Sequence, residues 1–318
     1  MSSRRLTPLL LLPFTLSILS ADVTLRYKTE MVMNVPLAGA AAASSALNNA
    51  LPHEVTLLEK DGKALSTFNA YNAITDFNTQ QVVLLDNAGK RYAKADPAKL
   101  AAGMAAAMPQ MPAAASALLG SMKMTASAPR ATGRTAVIQG VEAEEQEVVL
   151  TIDGPPIPGM PAGPMVREVL QIWLAKQSEI LRVPAIRELT GYQLSSLATT
   201  NPVAAIGAIL KQLPGAADLA EVLKTIQQGV MLRMHLAMYM PSMAQILRRM
   251  PAGTSPGAAA FGPEAPLMQM NQEAVEISSA SIPASSFAIP EGFQEVPAAD
   301  LIKTLLPATP APAASTLQ

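Results

Sequence analysis

Residues Gly229 to Met240 read Gly-Val-Met-Leu-Arg-Met-His-Leu-Ala-Met-Tyr-Met. The even-numbered positions are all apolar, namely Val230, Leu232, Met234, Leu236, Met238 and Met240. The odd-numbered positions are mixed and include Arg233 and His235. Because successive side chains of a strand point to opposite faces, the stretch predicts a half-buried strand with one wholly apolar face. Pro241 ends it, since proline cannot donate to the ladder.

Similar alternation, bounded by turn residues, predicts further strands along the chain. The first carries Leu25, Tyr27, Met31 and Met33 on one face, and the Asp61-Gly62 pair predicts a tight hairpin turn. The predicted strands are 22–35, 54–59, 64–70, 73–77, 81–86, 90–94, 123–126, 133–141, 142–152, 166–176 and 267–282. This spacing is typical of an antiparallel sheet.

Apolar stripes at helical spacing predict helices that lie against this sheet. The predicted helices are 97–119, 184–197, 202–213, 216–228, 243–250 and 299–306, and the segment 283–297 is predicted to be extended. Together the elements predict an α+β fold.

Composition excludes several functional classes. The formal net charge is -1 and aromatic residues make up 4%, which argues against nucleic acid as a partner. The absence of cysteine excludes disulfides and thiol catalysis. Methionine is abundant, with 18 residues, and its flexible side chain suits either a soft cavity or an ordinary core.

The N-terminus has the order of a secretory signal. Arg4 and Arg5 precede an apolar run, and Ser20 and Ala21 follow it. We therefore expect residues 1–21 to be a signal peptide, cleaved or retained as an anchor, and the protein to be exported to the periplasm or outside the cell. The remainder is expected to form one domain, 22–296, with Ala/Pro-rich insertions at 36–52, 97–121, 154–164 and 251–266, and then a short helix with a disordered tail, 297–318.

The chain offers little for catalysis. It has two histidines, His53 and His235, and no recognisable nucleophile, phosphate-binding or metalloprotease motif, so neither an enzyme nor a cofactor is expected. The carboxylates Glu142, Glu144, Glu145 and Glu147 resemble a solvated strand end more than a cation site. Methionine-based Cu(I) binding remains an alternative, because thioethers are soft ligands.

Several short segments together carry a family pattern. They are Val275-Glu276-Ile277, Ile282-Pro283 and Phe287 to Phe293 near the C-terminus, Thr132-Gly133 with Ile138-Gln139-Gly140, Ile172-Trp173-Leu174, and Gly229 with Leu232-Arg233. This pattern resembles that of LolA-like exported domains, which include periplasmic lipoprotein carriers and related proteins of unknown function. The resemblance implies an antiparallel sheet curved into an incomplete barrel and covered on its concave face by helices, with acyl chains held between the two layers.

The function expected from the apolar row and this resemblance is binding of an acyl chain or lipid between sheet and helices. The expected cavity lining is Leu25, Tyr27, Met31, Met33, Trp173, Leu232, Met234, Leu236 and Met238. An envelope protein is a further expected partner, with contact to a membrane only transient or at its surface. The alternative is a structural or interaction domain whose core is filled, and cavity volume distinguishes the two.

Overall fold

The computed structural model describes residues 22–34, 53–68, 71–97, 99–100, 103, 121–154, 163–196, 229–242, 244–245 and 265–305. Within these ranges the protein is mostly β, with a few short helices. The strands are β1 (Val23–Met33), β2 (Glu54–Lys60), β3 (Lys63–Phe68), β4 (Tyr71–Asp76), β5 (Gln81–Asp86), β6 (Arg91–Ala95), β7 (Lys123–Ala126), β8 (Arg130–Ile138), β9 (Val141–Asp153), β10 (Val166–Ala175), β11 (Met231–Tyr239), β12 (Met268–Ser278) and β13 (Gln294–Glu295). The helices are α1 (Gln177–Arg182), α2 (Pro184–Ser196) and α3 (Ala298–Leu305), with a 3-10 turn at Ala284–Phe287.

The described strands form one large sheet, and their order explains how the chain builds it. The order is β13-β6-β5-β4-β3-β2-β1-β12-β11-β10-β9-β7, with β8 also paired to β9. The predicted strand at 230–240 is confirmed as β11, which lies between β10 and β12. Pairing is antiparallel except at β13, which runs parallel to β6.

Tight turns set the register of the hairpins. Asp61 and Gly62 both have positive φ, at 50° and 73°, as a two-residue hairpin turn requires. Gln139 and Gly140 repeat this geometry between β8 and β9, with φ of 49° and 76°. The Asp-Gly hairpin predicted from the sequence is therefore confirmed.

The expectation of an incomplete barrel is corrected by this arrangement. The sheet is neither closed nor strongly curled. From β1 to β6 each strand pairs with the strand that precedes it in the chain, so consecutive strands lie side by side. One edge is formed by the two-residue β13, and the other by β7 and β8, which both pair with β9. The two edges do not pair with each other.

In the part of the chain that the structure describes, three groups of apolar side chains hold the helices and the C-terminal segment to the sheet. The helix-side core joins α2, through Ile186 and Leu189, to Leu25 and Leu232 of the sheet. A second group joins Leu301 and Ile302 of α3 to β4, β5 and β6. In a third group, Phe287, Ile289 and Phe293 pack against Leu65, Ile74 and Leu85.

Other predicted elements agree with the structure to different degrees. The strand 123–126 and the helices at 184–197 and 299–306 are confirmed within one or two residues. Helix α1 was not predicted, and the segment 283–297 contains a 3-10 turn and β13 where only extended chain was expected. The predicted helices 202–213 and 216–228, the signal peptide, most of the Ala/Pro-rich insertions and the tail after residue 305 lie outside the described residues.

Candidate functional site

Methionines from three neighbouring strands lie side by side in cross-strand register. Met268 of β12 pairs with Met33 of β1 and with Met238 of β11. In the next row of the same face, Met270 pairs with Met31 and with Leu236. Directly paired residues present their side chains on the same face of a sheet. We define the methionine face as Met31, Met33, Met234, Leu236, Met238, Met268 and Met270.

Much of the methionine face is only partly covered. Met234 is 7% exposed, whereas the other six residues are all partly exposed. Thioether side chains are flexible and polarizable, and they are over-represented at binding surfaces that accept several ligands. The face therefore presents adaptable apolar surface.

The reverse side of the same strands is polar. Arg233 donates to Glu273 in two hydrogen bonds, of 2.9 and 3.0 Å, and Arg26 lies 2.8 Å from Glu276. His235 Nδ1 lies 2.6 Å from Asn271 Oδ1. An antiparallel sheet with one polar and one apolar face exposes the first to water and covers the second. His235 therefore lies on the polar side of the sheet, opposite the methionine face.

Strand β10 extends the methionine face with one carboxylate among apolar residues. Leu170 pairs with Leu236, and Ile172 pairs with Met234. Glu168 pairs with Met238 on one side and with Leu150 of β9 on the other. The row that runs across five strands is therefore Met33, Met268, Met238, Glu168 and Leu150.

The apolar row of β11 is divided between two clusters. Val230 and Leu232 belong to the helix-side core, whereas Met234 packs with Ile172 and Leu174. The division coincides with a register shift between β10 and β11, which leaves Leu232 without a partner on β10. A bulge of this kind inserts an extra residue and redirects side chains. The sequence predicted a single continuous row at this point.

The predicted lining residues accordingly form two groups. Met31, Met33, Met234, Leu236 and Met238 are together on the methionine face. Leu25, Tyr27 and Leu232 are members of the buried helix-side core, and Trp173 packs against it. The second group fills space between sheet and helix with its own side chains.

A small depression lies where β9, β10 and the start of β11 meet. Its volume is about 190 Å³, and it is lined by Glu144, Gln146, Leu174, Ala175, Lys176, Gln177 and Gly229. A side chain in place of Gly229 would lie 3.3 Å from Leu174, so glycine permits the close approach of the two strands. Ligand sites usually exceed about 300 Å³, so this depression is small for a lipid.

Among the described residues, Glu168 and Glu59 have carboxyl pKa values raised by burial. Burial raises the pKa of Glu168, which stands among Met238 and Leu150. Burial and, second, the charge of Glu188 on α2 raise the pKa of Glu59 on β2 to about 7. Both groups hold a proton more tightly than a solvated glutamate does.

Three of the four glutamate carboxylates on β9 accept hydrogen bonds from basic side chains, and the fourth, Glu144, lies 3.9 Å from Lys176. Glu142 accepts from Lys176 at 2.8 Å, Glu147 accepts from Arg130 at 2.7 Å, and Glu145 accepts from Arg134. Glu145 is 1% exposed, so it is not part of a solvated strand end as the sequence predicted. Within the described residues, His, Asp and Glu side chains form no group of three that could hold a metal ion.

Sequence reasoning missed Met268, Met270 and Glu168. The alternation Met268-Gln269-Met270 was a usable signal, because it repeats the pattern Met31-Val32-Met33 of β1. The neighbours of Glu168 depend on the register between β9, β10 and β11. A single sequence does not specify that register.

Comparisons with known proteins leave the chain without a family. No protein-family model and no curated protein matches it. A solved structure of PNGF-II aligns over 90% of this chain and 32% of its own length, at 8% sequence identity and a TM-score of 0.30. The chain therefore spans about a third of that protein.

Among the described segments, no helix combines the length and the apolar character needed to cross a membrane.

Proposed function

We propose that this protein is exported and holds the apolar part of a lipid, such as an acyl chain, against the methionine face. The observation that supports the proposal is the in-register row of Met33, Met268 and Met238, with Met31 and Met270 beside it. These side chains are partly exposed on the apolar side of a sheet whose other side carries ion pairs. Apolar surface removed from water gains about 25 cal/mol per Å², so a chain laid on this face is stabilised.

The resemblance of several segments to LolA-like exported domains supports the same proposal, since carriers of that superfamily hold acyl chains. In that reading residues 1–21 direct export, and the domain of residues 22–296 meets lipid in the cell envelope. Membrane contact is transient and at the surface. The binding surface proposed for this chain is the methionine face, because side chains occupy the core beneath α2.

The proposal is tested by native mass spectrometry of protein purified after export, without detergent. We expect adducts whose masses identify lipids, in several independent preparations. Apo protein alone in every preparation would contradict it. Edman or mass-spectrometric sequencing of the same material tests the signal peptide, for which we expect a mature chain that starts near Asp22.

The rival function is a structural or interaction domain in the cell envelope. The observation that favours it is the helix-side core, where Leu25, Ile186, Leu189 and Leu232 are each at most 1% exposed and the interface is filled. In that case a partner protein covers the methionine face, and lipid is absent from the native spectrum.

Cu(I) binding is the alternative that the cross-strand register favours. Met33, Met268 and Met238 place three thioethers on adjacent strands, which is a ligand type that suits Cu(I). The same native spectrum, recorded after growth with added copper, tests it. If these thioethers bind Cu(I), we expect copper adducts in that spectrum.

A further inference from the structure

Glu168 is the carboxylate on the methionine side of the central strands. It stands between Met238 and Leu150 in direct register, and the next row of the same face carries Leu236, Leu170 and Val148. An acidic residue in such a row costs free energy unless a partner compensates its charge. A structural role for the carboxylate would require that partner within the protein.

The protein supplies no such partner in the described residues. Within them, the Glu168 carboxyl receives no hydrogen bond and no ion pair, and burial alone raises its pKa. The adjacent Arg167 pairs with Tyr239, and its guanidinium lies 5.5 Å from the centre of that ring. Successive residues of a strand point to opposite faces, so Arg167 is on the polar side.

The other members of the two rows are also without positive charge. They are Met31, Met33, Met268, Met270, Leu236, Met238, Leu170, Leu150 and Val148. Within the described residues, this part of the face therefore offers no cation that would compensate the Glu168 carboxylate.

We propose that Glu168 selects amphiphiles with a positively charged head group, such as alkylamines or alkylammonium compounds, whose apolar chain lies on the methionine face. The inference rests on the proposed function and names the class of ligand. A cationic head beside Glu168 gains a charge-assisted contact in a site of low polarity. An anionic head meets a like charge at the same place, and a nonionic head gains nothing from it.

Competition binding tests the inference. Wild-type protein is loaded with the neutral fluorescent probe N-phenyl-1-naphthylamine. The probe is then displaced by dodecyltrimethylammonium, dodecyl maltoside or dodecyl sulfate, each below its micelle concentration. We expect the cationic compound to displace the probe at an about tenfold lower concentration than the nonionic one, and the anionic compound to be the weakest.

The variant Glu168→Gln removes the charge and keeps the shape of the side chain. We expect unchanged affinity for the neutral probe and loss of the preference for the cationic compound. Glu30→Gln is the matched control, since it removes a carboxylate from the polar side of β1 and should keep the preference. Melting curves of both variants test whether they are folded.

The outcomes separate the two proposals. If wild-type protein fails to bind the neutral probe, the proposed function fails, and this inference fails with it. If the probe binds but the three competitors rank equally, or the anionic one ranks first, the assignment to Glu168 is overturned alone. A cationic preference that persists in Glu168→Gln overturns it as well.

Discussion

The hydroxyl of Tyr27 on β1 donates a 2.5 Å hydrogen bond to the carbonyl oxygen of Met231 on β11. The bond passes over β12, which lies between these strands and contributes the fully buried Ala274 opposite Tyr27. Met231 is next to the register shift between β10 and β11. The hydrogen bond therefore satisfies a carbonyl where the regular ladder is interrupted, and burial of the hydroxyl raises the pKa of Tyr27.

Removal of that hydroxyl should destabilise the protein measurably. Tyr27→Phe leaves the Met231 carbonyl without its donor, and we expect the free energy of unfolding to fall by about 1–3 kcal/mol. Tyr71→Phe is the matched control, because the Tyr71 hydroxyl also donates to a backbone carbonyl, that of Thr304, but in an exposed position. Its effect should be below about 1 kcal/mol. Equal effects in urea titrations would contradict the role of Tyr27.

Stability should decrease as the pH rises from mildly acidic to mildly basic, because of Glu59. Its pKa is about 7 in the folded protein, against 4.5 for an ordinary glutamate, so the folded state binds the proton more tightly. The stabilisation is fully present below the unfolded value and is lost as the pH rises through the folded value. The carboxyl is partly exposed, and solvent screening reduces the effect.

Glu59→Gln tests this account. The variant has no charge to bury beside Glu188, so we expect it to melt a few degrees above wild type at about pH 8 and to lose much of the pH dependence. Glu30→Gln should leave the pH dependence above about pH 5 unchanged, because Lys28 lowers the pKa of Glu30. A Glu59→Gln melting temperature that follows wild type across this range would show that Glu59 is not responsible.

The C-terminal helix should be needed for the stability of the hairpins. Leu301 is fully buried against β4, β5 and β6. Leu301→Ala leaves a cavity there, and we expect a loss of about 2–5 kcal/mol. Lys303→Ala changes an exposed residue of the same helix and should cost less than about 0.5 kcal/mol. Similar denaturation midpoints for the two variants would contradict the docking of α3.

The strands of this fold could be predicted from the sequence because their signals are local. Alternation located β1 and β11, and the pair Asp61-Gly62 located a hairpin whose geometry needs positive φ. The openness of the sheet could not be predicted, because it depends on how strands β1 to β6 follow one another in space. The resemblance implied a more curved sheet than the chain forms.

The candidate site could be predicted only in part, for the same reason. The methionines of β1 and β11 were assigned to an apolar face from alternation alone. Their meeting depends on β12, which pairs Met268 with Met33 across more than two hundred residues of chain. The bulge that separates Leu232 from Met234 arises between β10 and β11, and alternation within one strand does not reveal it.

Two substitutions at adjacent positions of β12 test whether the methionine face binds apolar ligands. Met270→Lys places a charge on the methionine face, and Asn271→Lys places the same charge on the polar face, beside Glu30 and His235. The measurement is the Kd of N-phenyl-1-naphthylamine for each folded variant. We predict that Met270→Lys weakens binding by about tenfold or more and that Asn271→Lys leaves it at the wild-type value. Equal affinities of the two variants, or no binding by wild type, would contradict the account.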